Sequence, residues 1–203
     1  MTIEKGRPWG NPGALADDGV IVHDDAELRQ IVEDARSSSR ALPMIGLLGG
    51  DLCRTVGGRG DEARLRSGEA MRLPVDIVSV EVGGDRYWFV SHAVLRHPWW
   101  HGRIVAVMNA QWIGAWDVAP RSHPNDGVIE VFDADLTLDD KLKARRRLLT
   151  GTHVPHPSIE QRRVAEGELT LGRPTSLYLD GTRIGKVSDL RFTVEPSALT
   201  CVV

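Results

Sequence analysis

The sequence predicts an α+β protein, a truncated α/β portion with a parallel strand pair followed by a β-rich sandwich domain, and three observations predict it. Strand-like and helix-like apolar patterns alternate up to about Arg72, period-two alternation takes over from Pro74, and glycine-rich turn signals separate short strands to the C-terminus. Residues 1–19 carry glycine and proline without apolar periodicity and read as an irregular arm. "GVIV", Gly19 to Val22, is the first strand. In "DDAELRQIVEDAR", Leu28, Ile31, Val32 and Ala35 recur at helical spacing behind Asp24 or Asp25 as N-cap, so this helix should pack on a sheet. "MIGLL" after Pro43 is a second strand, followed by a glycine turn and a short helix near Leu52 to Val56. The segments "VDIVSVEV", "RYWFVSHAVL", "GRIVAVMNAQWI" and "GVIEVFDADL" are strands of the second portion. A helix from about Thr137 to Arg147 interrupts them, with Leu138, Leu142 and Leu149 giving it one apolar edge. Short strands at "SIEQRRVA", "ELTL", "TSLYLD", "TRIGK" and "LRFTVEP" close the chain, with Asp180-Gly181 as a hairpin turn. The boundary is set at residues 1–72 for the arm and nucleotide-binding-like portion and 73–203 for the sandwich.

The 203 residues are 41% hydrophobic and 26% charged, enough to bury a core without staples. A net charge of −3 with dispersed basic residues excludes the broad positive field of a nucleic-acid binder. One local exception is "KLKARRR", Lys141 to Arg147, which suits an anionic headgroup surface or a solvated helix face. Two cysteines, Cys53 and Cys201, lie far apart without metal-type spacing and fit a reducing cytoplasm. No apolar run reaches the length of a membrane span.

The stretch "IGLLGGDLCRTVGGRGD", Ile45 to Asp61, joins a strand to a helix through Gly49-Gly50-Asp51. Such a junction either holds an anion on unpaired backbone N–H groups or is a tight turn in a core. It lacks the ending of a P-loop and the spacing of a dinucleotide fingerprint. "RHPWWHG" places His97, Trp99, Trp100 and His101 together, but Pro98 argues against the helix that metal-binding spacing requires. The two prolines of "HVPHP" raise the same objection for His153 and His156. Cys53, beside Arg54 at a helix start, is either a lowered-pKa thiol or a packing residue.

"VMNAQWIGAWDVAPRSHPNDGVIEVFDADL", "RRRLLTGTHVPHPSIEQRR" and "SLYLDGTRIG" together resemble the C-terminal sandwich of the bacterial diacylglycerol kinase and lipid kinase family. The matches come in order: Asn109, Gly114 and Ala119-Pro120, then Asp126-Gly127, then Gly151 and His153, then Asp180-Gly181. The resemblance spans about residues 45 to 203. It implies that "GLLGGDLCRTVGG" is the second nucleotide-domain turn, with Asp51, Arg54 and Thr55 at the matching places and phosphate contacts from Gly49 and Gly50. It further implies a magnesium site of three aspartates, to which Asp25, Asp51 and Asp76 correspond. The alternative is three separate structural acids, since Asp25 is also a plain helix cap.

The departures matter as much. The family's first phosphate loop, Gly-Gly-Asp-Gly-Thr, is replaced by "HDDAE", His23 to Glu27, leaving only Asp25 in register. Side chains stand where a phosphate needs close backbone approach. After the Asp180-Gly181 hairpin the family has a glutamate as general base, and Thr182 takes its place. A threonine hydroxyl has no useful basicity near neutral pH. The resemblance also finds no counterpart in residues 1–22 for the family's amino-terminal strand and helix repeats.

The expectation is therefore a divergent lipid-kinase-like protein. If active, it transfers the γ-phosphate of ATP, with Mg²⁺, to a lipid or small-molecule hydroxyl, with Asp51, Asp180 and Thr182 at the catalytic positions. The alternative is a non-catalytic protein that binds a lipid or phosphorylated ligand. The partners named by these readings are the hydroxyl acceptor, a membrane surface met peripherally, and a second copy of the chain, with no nucleic acid.

Overall fold

A computed structural model describes residues 9–98 and 102–203, so the expectations placed on Trp99, Trp100 and His101 lie outside the described residues. The architecture is dominated by one eleven-stranded, mainly antiparallel sheet that wraps into a sandwich. Among the described residues it begins with β1 (Asn11–Pro12), followed by β2 (Val20–Val22), α1 (Asp25–Ser37), β3 (Ile45–Leu47), α2 (Gly50–Thr55) and α3 (Glu62–Leu65). Next come β4 (Met71–Val82), β5 (Asp85–Phe89), β6 (His92–Arg96), β7 (Ile104–Met108) and the small hairpin β8 (Trp112–Ile113) and β9 (Trp116–Asp117). The chain ends with β10 (Ile129–Ala134), α4 (Leu138–Arg147), β11 (Ile159–Val164), β12 (Glu166–Leu179) and β13 (Thr182–Val202). The path through the sheet is β1-β4-β13-β12-β6-β7-β10-β11, with β3 on β13, β2 on β3 and β5 on β4.

The parallel pair expected at the N-terminus is present as β2 on β3, with Val20 opposite Ile45. The end of β13 then pairs in parallel with β3, Cys201 opposite Ile45, so the α/β portion is hydrogen-bonded into the sandwich sheet. Leu28, Val32 and Ala35 of α1 are buried, as their spacing predicts. Leu28 and Val32 share a core with Ile45, Leu52, Val75, Ile77 and Leu199. Charged groups fix the helix as well: Arg36 bonds Glu195 at 2.5 Å, and Glu195 accepts the Trp88 indole N–H at 2.7 Å. The interior of the sandwich is a second core, built from Val78, Phe89, Leu95, Val107, Ile129, Leu177, Leu190 and their neighbours.

Three details differ from the expected elements. The five short terminal strands are β11 and two long ones, β12 and β13, each continuous across register shifts such as Thr170/Thr175 and Glu195/Leu199. Bulges let one strand bend across a sandwich without a turn, and alternation broken at a bulge reads as two strands. "RYWFVSHAVL" is two strands, β5 and β6, because the amides of Val90, Ser91 and His92 leave the ladder to donate to the Asp180 carboxylate. The apolar edge of α4 is not buried: Leu138 and Leu142 are 68% and 65% exposed. No helix among the described residues is long and apolar enough to cross a membrane.

Candidate functional site

The junction of β2 with α1, the start of α2, and the β5–β6 break bring Asp25, Asp51, Ser91, His92 and Asp180 together. Asp24 caps α1 by accepting the Glu27 amide at 2.9 Å, which leaves Asp25 pointing across to α2. Its carboxylate accepts the amides of Asp51 at 2.6 Å and Leu52 at 3.2 Å. These are the orphan donors at a helix start, so Asp25 acts as a cap supplied from another segment. Gly50 adopts φ +93°, and a Cβ there would lie 2.5 Å from Asp25 Oδ1; one on Gly49 would lie 2.3 Å from the His23 carbonyl oxygen. The two glycines therefore let α2 pack against the β2–α1 junction.

That arrangement decides the question raised by the glycine turn. The place where an anion would meet the amides of Asp51 and Leu52 is filled by the protein's own carboxylate. The remaining residues expected to touch nucleotide are engaged internally. Thr55 Oγ1 donates to the Asp51 carbonyl at 2.7 Å and accepts the Gln111 amide at 3.0 Å. Arg54 donates to the Gly114 carbonyl at 2.8 Å and stacks 3.4 Å from the centroid of the Trp112 ring. Arg54 and Thr55 are thus taken up by the protein's own groups, and Gly49 and Gly50 serve the packing of α2.

The three-aspartate set does not fit magnesium either. The structure brings Asp25 and Asp51 together and leaves Asp76 out. Asp76 is fully buried on β4, where its carboxylate accepts the amides of Ser197 at 2.7 Å and Gly127 at 2.8 Å and faces the Asn125 side chain at 3.3 Å. Asp126-Gly127, quoted for the resemblance, is thus the loop that Asp76 ties to β13. Among the described residues no group of three or more His, Cys, Asp and Glu side chains is arranged to hold a metal ion.

Asp180 is the most enclosed carboxylate of the cluster. At the β12–β13 turn, with φ +46°, it accepts three amides at 2.9 Å from Val90, Ser91 and His92. Burial, reinforced by the charge of Asp25, pushes its pKa up to about 8 against the pull of those amides. Burial also raises Asp25 to about 6 and raises Asp51. Thr182, two residues on, pairs with Leu179 across the hairpin.

Asp51 reaches the Gly114 amide at 2.8 Å through Oδ1, and His92 Nδ1 stands 3.7 Å from Oδ2. Burial lowers the His92 pKa to about 4, so the ring is neutral near pH 7 and also contacts Ser91 Oγ at 3.2 Å. Chemically the cluster stores protons among buried carboxylates and orients backbone amides. Ser91 and His92 were missed in the sequence because they sit inside an apolar strand pattern, where two adjacent polar residues were the one available signal. Cys53 packs in the α1 core, its thiol donates to the Leu47 carbonyl at 3.6 Å, and burial raises its pKa, as suits a packing residue.

A second feature lies under α4, next to the β8–β9 hairpin whose Gly114 meets Asp51 and Arg54. Between α4 and the strands β6, β7 and β10 is a cavity of about 530 Å³. Its walls include Val94, Ala106, Trp116, Phe132, Leu142 and Leu148, and its polar lining comes from Lys141, Arg145 and His153. A volume of this size with mainly apolar walls is typical of a small-molecule site.

Residues 77–203 match the family described as the YegS C-terminal NAD kinase beta sandwich-like domain. The chain belongs to this family. No curated protein sequence matches the chain. Among solved structures, a Bacillus anthracis str. Sterne protein assigned to the diacylglycerol kinases is similar, with TM-score 0.68, 12% identity, and coverage of 91% of this chain and 77% of that one. A further diacylglycerol kinase structure from the same organism has TM-score 0.60, 13% identity, and coverage of 91% and 75%. A yeast NADH kinase complexed with NADH has TM-score 0.51, 11% identity, and coverage of 92% and 61%. At such identities the likeness establishes a kinase-like fold and leaves the chemistry to this chain's own residues.

Proposed function

We propose that this family member binds an amphiphile without transferring phosphate, the apolar chain entering the cavity under α4 and an anionic head meeting Arg145, with Lys141, whose ammonium donates to the Gly102 carbonyl at 2.9 Å, beside it. The observation that carries the reading is the cavity itself, whose mainly apolar wall is interrupted by two cations on one helix. The carboxylate junction supports the same reading, because Asp25 fills the anion position at α2 and Asp76 lies in another network. A phosphoryl transfer has little covalent chemistry for the protein to perform and relies on positioned phosphates, metal and base. Each of those three places has been given to a structural role or altered.

The exposed Leu138 and Leu142, beside Lys143, Arg146 and Arg147, further suit α4 to peripheral contact with an anionic membrane, from which an amphiphile could enter. A thermal-shift titration tests the reading, using monomeric dodecyl phosphate, MgATP and MgADP in separate arms. Dodecyl phosphate is expected to raise the Tm in a saturable way, and Lys141→Glu with Arg145→Glu to weaken that effect. A shift with millimolar MgATP that disappears in Asp51→Ala would overturn the non-catalytic reading in favour of the kinase.

A further inference from the structure

The hairpin of β8 and β9 stands between the carboxylate junction and the cavity under α4. Among the described residues its strands pair only with each other, Trp112 opposite Asp117 and Ile113 opposite Trp116. A lone pair of two-residue strands cannot hold itself in water, so what it leans on sets where it sits. Successive side chains along a strand point to opposite faces, which puts Trp112 on one face of the hairpin and Ile113 and Trp116 on the other.

The first face belongs to the junction. Arg54 of α2 holds it at two points: the guanidinium lies 3.4 Å from the centroid of the Trp112 ring and donates to the Gly114 carbonyl at 2.8 Å. Asp51 takes the Gly114 amide at 2.8 Å, and Thr55 Oγ1 accepts the Gln111 amide at 3.0 Å just ahead of the hairpin. The second face belongs to the cavity. Ile113 and Trp116 line it beside Leu148, and the Arg145 guanidinium stands 6.0 Å from the centroid of the Trp116 ring, within reach of a cation–π contact. The hairpin therefore fixes the ring against which Arg145 is placed, and Arg54 fixes the hairpin.

We propose that Arg54 is a positioning residue for the cavity: acting through the hairpin and Trp116, it sets where Arg145 meets an anionic head. Arg54 itself lies outside the cavity lining, and the walls supplied by β6, β7 and β10 do not rest on it, so its influence falls on the head more than on the chain. The inference rests on the amphiphile-binding reading, and its test separates the two.

Calorimetric titrations compare monomeric dodecyl phosphate with 1-heptanol, an uncharged chain. Arg54→Ala is expected to weaken dodecyl phosphate about fivefold and 1-heptanol little, the scale of one cation–π contact released. Arg54→Lys, which can still donate to the Gly114 carbonyl and lie over Trp112, should recover part of the loss. Trp116→Leu should lower the ratio of the two affinities by the same factor, and its combination with Arg54→Ala should lower it no further, since both act on one contact. A purely structural role for Arg54 would lower the urea midpoint and leave that ratio unchanged. If Arg54→Ala fails to fold, exchange of the wild-type Gly114 amide decides, because a head that needs the hairpin must hold it in return: exchange should slow with dodecyl phosphate and not with 1-heptanol. An unchanged ratio in folded Arg54→Ala, an additive double variant, or unchanged Gly114 exchange where the variant does not fold, while dodecyl phosphate binds, would overturn the Arg54 assignment alone. Failure of dodecyl phosphate to bind the wild type would overturn it together with the reading beneath it.

Discussion

The carboxylate junction is closed by the chain's own hydrogen bonds, whereas the cavity under α4 is an open space with mainly apolar walls. At the junction, Asp25 takes two amides, Asp180 three and Asp51 one, so the acids are satisfied by the chain itself. Under α4, polar groups are few: Lys141, Arg145 and His153 interrupt a wall built from Val94, Ala106, Phe132 and their neighbours. Hydrogen bonds made within the chain stabilise the fold, whereas an open space of this size with mainly apolar walls is left for something that binds. The place where the family resemblance put chemistry is thus closed by internal hydrogen bonds, and the open space lies under α4, where the resemblance matched His153.

The sharpest way to break this contrast is at Asp180. If the junction is structural, Asp180→Ala strands three buried amides at once, each costing about 1–3 kcal/mol. We expect a loss of about 4 kcal/mol or more, read as a lower urea midpoint with unchanged m-value. Little loss would mean that the junction tolerates opening and could admit a ligand. Gly50→Ala comes next. The new methyl would collide with Asp25 Oδ1 in a left-handed backbone, and we expect a loss of roughly 2–3 kcal/mol by the same measurement.

Titration sharpens the comparison further. Asp25 has a folded pKa of about 6, above its unfolded value of 3.8, so its contribution is fully present below pH 3.8 and is lost as pH rises through 6. His92, depressed to about 4 from 6.5, acts the other way, losing stability as pH falls from 6.5 through 4. In the wild type the carboxylates outweigh the imidazole, because Asp180, raised to about 8, adds a slope of the same sign as that of Asp25 across this window. His92→Gln should steepen the fall of stability with rising pH and Asp25→Asn should flatten it, each by on the order of 3 kcal/mol between pH 4 and 6.5. Urea unfolding in steps of half a pH unit reads it. Profiles in both variants that match the wild type would show that the junction is wetter than its burial implies.

Legibility in the sequence divides along the same line. The helix α1, the parallel pair β2–β3 and the alternating strands followed from periodicity, because burial on one face writes itself into spacing. Asp25 and Asp51 were correctly singled out as neighbours across 26 residues, through the resemblance and not through any local pattern. Asp76 was grouped with them wrongly, since its match in chain order says nothing about the direction of a side chain on a strand whose residues alternate faces. The long strands β12 and β13 were cut into pieces because a bulge interrupts alternation without interrupting the ladder. His153 was visible within Gly151-Thr152-His153, but whether a histidine lines a cavity depends on atoms brought from other segments, and no spacing rule reports that.

The smallest stability effect concerns α4, and it separates surface from core most cleanly. Leu142 is 65% exposed on a helix with no buried residue, although it also lines the cavity mouth. Leu142→Ser should change stability by less than about 0.5 kcal/mol, as ordinary surface substitutions do. Sedimentation with vesicles containing phosphatidylserine should nevertheless fall, because the leucine and the basic residues of α4 act on the same headgroup layer. High salt should reduce the remaining binding by screening the cations. A Leu142→Ser protein that loses stability but keeps its vesicle binding would assign the leucine to the fold, and the exposed edge of α4 would then have to be explained by packing that forms around it.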